Sequence, residues 1–81
     1  MTPVVYWRPG CGFCMRLMRG IEEAGLEIET RNIWEDPEAA TFVRSVTGGN
    51  EVVPTVSLGD RNMVNPSIRE LLALINELGE N

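Results

Sequence analysis

The sequence contains neither histidine nor lysine, and these two absences restrict the chemistry that the chain can perform. Without histidine there is no Ser-His-Asp triad, no imidazole general base and no metal site with a histidine ligand. Without lysine no Schiff base can form with a carbonyl substrate. The side chains that can readily act as nucleophiles are therefore the two cysteines, Cys11 and Cys14.

Positive charge is also scarce. Seven arginines face twelve acidic residues, which gives a net charge of −5. Nucleic acids and anionic membranes attract positively charged proteins, so we expect neither as a partner. No apolar run approaches the roughly 20 residues of a membrane-spanning helix, and the first residues lack the charged start of a signal peptide. We therefore expect a cytoplasmic protein.

The length of 81 residues predicts a single domain over residues 1–81. The apolar run Pro3–Trp7 predicts a first strand, and apolar residues at helical spacing from Cys14 predict a helix that starts at or just after Cys11 and ends near Gly25. Alternation over residues 26–30 predicts a second strand.

The second half of the chain continues this pattern. Asp36-Pro37 is typical of a helix start, and glycines after Thr47 end that helix. Residues 52–58 and 62–64 are expected to form a hairpin. Asn65-Pro66-Ser67 predicts a cap with Pro66 just inside a third helix. The apolar face of that helix is predicted from Ile68, Leu71, Leu72, Ile75 and Leu78.

The predicted order is β-α-β-α-β-β-α. Two strands joined through a helix are parallel with a right-handed crossover, whereas the last two strands form an antiparallel hairpin. The result is a four-stranded mixed sheet with the first and third helices on one face and the second helix on the other. This α/β arrangement is the thioredoxin-like architecture.

Cys11-Gly12-Phe13-Cys14 lies between the first strand and the first helix. Unpaired amides and the dipole of a helix start favour a thiolate at Cys11 over the thiol. Arg8 is the nearest upstream cation that could add to this effect. Cys14 falls one turn deeper on the apolar face, so we expect only the sulfur of Cys11 to be exposed. We therefore predict Cys11 as nucleophile and Cys14 as resolving thiol.

A zinc site is the other common use of a Cys-x-x-Cys motif. Zinc requires three or four ligands, and the chain has no histidine and no third cysteine. A structural disulfide is also disfavoured, because the closed loop would be very small and a cytoplasm keeps thiols reduced. We therefore expect no bound metal.

Pro54 lies within a predicted strand. In a thioredoxin-like fold a cis bond after Val53 would place Pro54 against the start of the first helix. The backbone of Val53 would then be free to pair with a bound substrate as an added strand.

Two motifs and a helix start together resemble the glutaredoxin family: Cys11–Cys14, Val53-Pro54-Thr55 and Asn65-Pro66-Ser67. The stretch from Phe42 through Val56 is most similar to that of mycoredoxins, bacterial glutaredoxin-like enzymes that use mycothiol in place of glutathione. The resemblance extends over essentially the whole chain.

The resemblance implies a thiol-disulfide oxidoreductase that reduces mixed disulfides between proteins and a small thiol. It implies that Phe13 flanks the reactive sulfur and that the helix start at Asn65 and Ser67 receives a polar or anionic end of the small thiol. Arg8 is included among the candidate binding residues, whereas Trp34 is expected to be core or edge packing. Glutathione-binding relatives carry a Gly-Gly pair where this chain has Asn65-Pro66, so we expect glutathione to fit poorly.

Two alternative functions remain open. The protein could be an electron donor that is reduced by a thioredoxin reductase and uses Cys14 to form an internal disulfide. It could also be a non-enzymatic [2Fe-2S] carrier, because Cys11-Gly12-Phe13-Cys14 differs by one residue from the Cys-Gly-Phe-Ser of cluster-carrying relatives. The preferred interpretation is a monomer that binds no cofactor and has a small thiol and oxidised proteins as partners.

Overall fold

A computed structural model describes residues 2–79, and it confirms the predicted order of elements. The strands and helices are β1 (Val4–Trp7), α1 (Gly12–Glu23), β2 (Glu29–Asn32), α2 (Pro37–Val46), β3 (Thr55–Leu58), β4 (Arg61–Val64) and α3 (Ile68–Glu77). Within residues 2–79, none of the helices combines the length and apolar composition needed to cross a membrane.

The four strands form one mixed sheet in the order β2-β1-β3-β4. β1 runs parallel to β2, with Val4 opposite Glu29, and antiparallel to β3, with Val5 opposite Val56. β3 and β4 form the predicted hairpin. The central strand β1 leads directly to Cys11, so the cysteine pair lies at the carboxyl end of a strand that is held on both sides.

Two apolar clusters cover the two faces of the sheet. On one face, Val5 and Val56 pack with Leu17 and Ile21 of α1 and with Leu71 of α3. This packing confirms that the first and third helices share a face.

The second cluster lies on the other face and includes the cysteines. Ala39, Ala40 and Val43 of α2 pack with Cys11 and Cys14. Partly buried aromatic residues border this cluster, and the rings of Tyr6 and Phe42 stack with their centroids 4.8 Å apart. The cysteine pair therefore lies at the edge of the core.

The prediction for the second strand was wrong in position. Residues 26–28 precede the strand, and the ladder begins at Glu29, whose amide donates to the carbonyl of Pro3. Leu26 and Ile28 are half-buried and pack on the core from the connection that leads to β2. The alternation of apolar and polar residues over 26–30 therefore comes from this packing. The edge strand itself, β2, is polar.

The predicted start of α3 was also wrong in detail. Ser67 is the N-cap, so Pro66 lies before the helix, and Asn65 has a φ of +52°. Ser67 and Glu70 form a reciprocal capping box, which satisfies two amides that would otherwise have no partner. The apolar face differs as well, because Leu74 is buried while Leu72 is exposed.

Candidate active site

Cys11 is the N-cap of α1 and its sulfur is held at the helix start. The Cys14 amide donates to Cys11 Sγ at 3.2 Å, and the Cys11 thiol donates to the Val53 carbonyl at 3.7 Å. Gly10, with a φ of +76°, makes the turn from β1 that this position requires. An amide directed at the sulfur stabilises a thiolate, because a helix start concentrates partial positive charge.

Both cysteines are free thiols, and both are buried. The difference in exposure between them is smaller than expected. Cys14 is fully buried at 0% exposure, as predicted, whereas Cys11 is only 6% exposed. The expectation of an openly exposed first sulfur was therefore wrong, because Cys11 packs into the α2-side cluster beside Val53. A substrate must therefore reach a Cys11 side chain that is largely covered.

Cys14 is protected as a thiol. Burial raises the pKa of Cys14 from the ordinary value of 9.0 to about 12, and the hydrogen bond with Cys11 adds to the increase. A backbone hydrogen bond from Arg8 and the positive charge of its side chain act in the opposite direction with smaller effect. At neutral pH the sulfur that can attack a disulfide is accordingly that of Cys11.

The Val53-Pro54 bond is cis, as predicted. The Pro54 carbonyl accepts a hydrogen bond from the Asn65 amide at 2.7 Å, which joins this loop to the segment before α3. Thr55 is fully buried, and its hydroxyl donates to the Val52 carbonyl at 2.8 Å. These bonds hold the backbone of Val53 next to Cys11.

A pocket of about 320 Å³ lies beside the cysteine motif, between α1 and the start of α3. Phe13, Asn65 and Ser67 line it, together with Arg16 and Glu70. The structure thus brings three of the predicted binding residues into one cavity next to the redox motif. Neither cysteine lines this pocket, and Phe13 is its contact with the motif. Another cavity, of about 290 Å³, lies at the opposite end of β1 near Thr2 and Leu78.

The start of α3 is already occupied by the chain's own carboxylate. Glu70 Oε1 accepts from the Ser67 amide at 2.9 Å, and the Glu70 amide donates to Ser67 Oγ at 3.1 Å. A second carboxylate at this position would be repelled. The role of Asn65 and Ser67 in binding stays a prediction, but the capping box favours an uncharged group over an anion.

Arg8 and Trp34 contact each other on the β2 side of the cysteine motif. The Arg8 guanidinium carbon lies 5.6 Å from the centre of the Trp34 ring, and Arg8 donates to the Pro9 carbonyl at 3.0 Å. Trp34 is 64% exposed, so it does not fill the core, and it lies just after the edge strand β2. The binding role predicted for Arg8 stays a prediction.

Sequence reasoning overlooked Glu70 and the contact of Trp34 with Arg8. The spacing of Ser67 and Glu70 is that of a capping box and could have revealed the carboxylate at the helix start. Nothing local to the sequence places Trp34 over Arg8, because the contact depends on the parallel pairing of β1 and β2. Among residues 2–79, no three acidic, histidine or cysteine side chains form a group that could hold a metal ion.

Sequence comparison relates the chain to known proteins. The model of the Glutaredoxin family matches residues 4–63. Mycoredoxin 1 of Corynebacterium glutamicum is 35% identical over 75 residues, which cover 91% of this chain and 92% of that protein. A putative glutaredoxin of Mycobacterium tuberculosis is 37% identical over 70 residues, which cover 85% of this chain and 83% of that protein.

Structural comparison agrees. The glutaredoxin-like protein NrdH-redoxin from Escherichia coli, described as having a thioredoxin-like activity profile, superimposes with a TM-score of 0.75 at 30% identity. The match covers 100% of this chain and 99% of that one. With its Cys11–Cys14 pair at the start of α1, the chain belongs to the glutaredoxin family of thiol-disulfide oxidoreductases.

Proposed function

We propose that the protein reduces mixed disulfides between other proteins and a low-molecular-weight thiol in the cytoplasm, and that this thiol is mycothiol. It acts as a monomer. It needs no bound metal or organic cofactor, because the small thiol supplies the electrons. The observation that carries this proposal is the position of Cys11 Sγ, which lies 3.2 Å from the Cys14 amide at the helix start.

The reaction consists of two exchanges. The Cys11 thiolate attacks the small-thiol sulfur of the mixed disulfide, a new S–S bond forms, and the protein substrate leaves as a thiolate that takes a proton from water. A second small thiol, as thiolate, then attacks the sulfur of the bound small thiol and releases Cys11. The protein sulfur is reduced from the disulfide to the thiol level, the incoming small thiol is oxidised by the same amount, and the two small thiols end as their disulfide.

The state of Cys14 supports this cycle over one that needs an internal disulfide. Its pKa of about 12 leaves very little thiolate at neutral pH, and the thiolate is the attacking form. The main cause is burial, and the smaller contributions from the Cys11 side chain change once Cys11 is in a mixed disulfide. A second small thiol therefore competes well with Cys14 for the oxidised Cys11.

The capping box supports mycothiol over glutathione. Glutathione carries two carboxylates, and the Glu70 carboxylate already accepts the Ser67 amide at the pocket wall. A small thiol without carboxylates, such as mycothiol, avoids this repulsion, which Arg16 on the other side of the pocket offsets only in part. The 35% identity to Mycoredoxin 1 over most of both chains supports the same choice.

A second candidate is an electron donor that a thioredoxin reductase regenerates. The similarity to NrdH-redoxin, with its thioredoxin-like activity profile, favours it. In that cycle Cys14 attacks Cys11 and closes an internal disulfide, so both cysteines are required.

Replacing each cysteine separately distinguishes the two candidates. With a peptide disulfide-linked to mycothiol as substrate and mycothiol as reductant, we expect Cys11→Ser to abolish turnover and Cys14→Ser to retain it. The corresponding glutathione-linked peptide, assayed with glutathione, should be a poorer substrate. Equal loss in both variants, together with turnover driven by thioredoxin reductase, would establish the second candidate. Urea unfolding of both variants controls for folding.

A further inference from the structure

The charges of this acidic protein are unevenly distributed along the chain. Residues 1–21 contain three arginines, Arg8, Arg16 and Arg19, and no acidic residue. All twelve acidic residues lie from Glu22 onward. Because residues 4–21 form β1, the turn to Cys11 and most of α1, the positive charge is concentrated around the cysteine pair.

Among the described residues, these three arginines also lack acidic partners. In the part of the chain from Thr2 to Gly79, the ion pairs involve arginines of later segments: Arg31 with Glu29 and Asp36, Arg44 with Glu51, and Arg61 with Glu77. Arg16 and Arg19 are exposed on α1. Three of the four later arginines are thus neutralised by neighbours, whereas the three near the cysteines are not.

The charge pattern of α1 runs against the preference of a helix. Its first turn has no acid, and its last turn carries Glu22 and Glu23 without a base. Acids favour the start of a helix and bases favour its end, as α2 shows with Glu38 and Arg44. Charges that do not stabilise a helix are expected at a binding site, where they serve the ligand instead.

Exposed apolar side chains lie among these arginines. Phe13 is 60% exposed and Met15 is 42% exposed on α1, and Trp34 extends over Arg8. Aromatic residues, methionine and arginine are the side chains enriched in protein interfaces. The surface formed by Arg8, Phe13, Met15, Arg16, Arg19 and Trp34 is called the basic surface below.

The basic surface extends along α1 and to both sides of the cysteine motif. Arg19 lies seven residues along α1 from Gly12, which corresponds to roughly 10 Å at about 1.5 Å per residue. Arg8 lies before the motif on the β2 side, and Arg16 lies after it in the pocket beside α3. A ligand that contacts all three must extend across the cysteine pair, as a peptide segment does.

We propose that the basic surface binds the protein side of the substrate, and that this segment is rich in aspartate and glutamate next to its oxidised cysteine. The inference rests on the proposed function only in taking a protein disulfide as substrate. Its chemical step is the attack already described: Cys11 forms a disulfide with the small-thiol sulfur, and the acidic segment leaves as a thiolate. The arginines attract the substrate and stabilise the negative charge of that leaving segment.

Acidic side chains also border this region: Glu22 and Glu23 lie three and four residues after Arg19 on α1, and Glu70 lies in the pocket. Glu70 lines the pocket with Arg16, but its carboxylate accepts the Ser67 amide within α3. An acidic segment therefore contacts Arg16 from the solvent side of α1, where Arg19 lies one turn further along the helix. The apolar side chains of Phe13 and Met15 pack against the same segment.

Single-turnover kinetics test this without any reductant. Three peptides of equal length carry a cysteine disulfide-linked to 2-mercaptoethanol and flanked by glutamates, serines or lysines, and each is mixed with excess reduced protein. We expect the acidic peptide to react about tenfold faster than the neutral one at low ionic strength, and the basic peptide to be slowest. The preference should fall toward unity at 1 M salt, where the screening length is roughly 3 Å.

The control is a variant with the same change in net charge elsewhere. Arg16→Glu/Arg19→Glu should reduce the ratio of acidic to neutral rates to about one or below. Arg44→Glu/Arg61→Glu should leave this ratio unchanged. The ratio is internal to each variant, so a general loss of activity does not affect the interpretation.

The opposite results overturn the proposal. A wild-type ratio near one, a preference for the basic peptide, or an equal fall in both double variants would each show that the basic surface does not select acidic segments. Because no small-thiol reductant takes part, such a result leaves the mycothiol cycle standing. Conversely, failure of mycothiol-driven turnover does not alter the measured charge preference.

Discussion

The two cysteines have the same side chain but different surroundings, and this difference predicts a pH effect on stability. The folded-state pKa of Cys14 is about 12, above the ordinary 9.0, because the thiol is buried. Below pH 9 both the folded and the unfolded chain keep this proton, so the contribution to stability is fully present. Between pH 9 and 12 the unfolded chain loses the proton while the folded chain keeps it. The free energy of unfolding should therefore fall as pH rises, by at most about 1.4 kcal/mol per pH unit.

Urea unfolding of the reduced protein from pH 7 to pH 10.5 measures this effect. Cys14→Ser is the matched control, because serine does not titrate in this range while Tyr6 and Cys11 are retained. We expect the wild-type protein to lose more stability above pH 9 than the variant. Parallel pH profiles would show that burial does not hold the Cys14 proton.

At the scale of elements, the crossing of α1 and α3 depends on a glycine. A Cβ built on Gly20 would lie 3.0 Å from Ile68 Cβ and 3.1 Å from Ile68 Cγ1. Alanine would gain about 1 kcal/mol of helix propensity, but overpacking typically costs about 1–3 kcal/mol. We predict that Gly20→Ala is destabilising by about 1 kcal/mol in urea unfolding.

Two further variants check this explanation. Gly12→Ala in the same helix has open space around the new Cβ, and it should leave stability unchanged or raise it slightly. Combining Gly20→Ala with Ile68→Ala removes two of the three closest atoms, so the glycine substitution should cost less in that background. An equal cost in both backgrounds would locate the strain elsewhere.

The order of elements was predictable because each helix and the hairpin have their own local signals. Asp36 and Pro37 mark the start of α2, and its side-chain cap on the Ala39 amide is present in the structure. The position of β2 was not predictable, because a polar edge strand of Glu29–Asn32 has no apolar alternation. Its register is set by pairing with β1, which is a long-range contact.

The site could be predicted in part for the same reason. The cysteine pair at a helix start and the Val53-Pro54 segment are local motifs, and the structure brings them within 3.7 Å of each other. The low exposure of Cys11 was not predictable, because it results from packing between α2 and the β3 connection. Neither partner in that packing is near Cys11 in the sequence.

At the scale of the whole molecule, the alternative of a cluster carrier makes a direct prediction. A bridged dimer would need the Cys11 sulfur of each chain as an iron ligand, yet Cys11 is only 6% exposed and accepts the Cys14 amide. We expect protein purified without oxygen to be colourless and to elute as a monomer. Visible absorption and size-exclusion chromatography measure both properties.

Cys11→Ser provides the control for this experiment. A brown dimer that loses its colour in Cys11→Ser would contradict the monomeric oxidoreductase and establish the cluster carrier. A brown dimer that keeps its colour in the variant would still refute the monomer and would place the iron on other ligands.

The contact between Gly20 and Ile68 links the spacing of α1 and α3 to the shape of the pocket. Ile68 also lines the pocket beside Phe13 and Ser67, so any side chain at position 20 would displace a pocket wall that it does not itself form. Under the proposed function, in which this pocket receives the small thiol, selection for a larger or smaller thiol can act on position 20 while every residue that lines the pocket stays the same. In such a small protein, the range of substrates can change through residues that support the pocket wall as well as through residues that line the pocket.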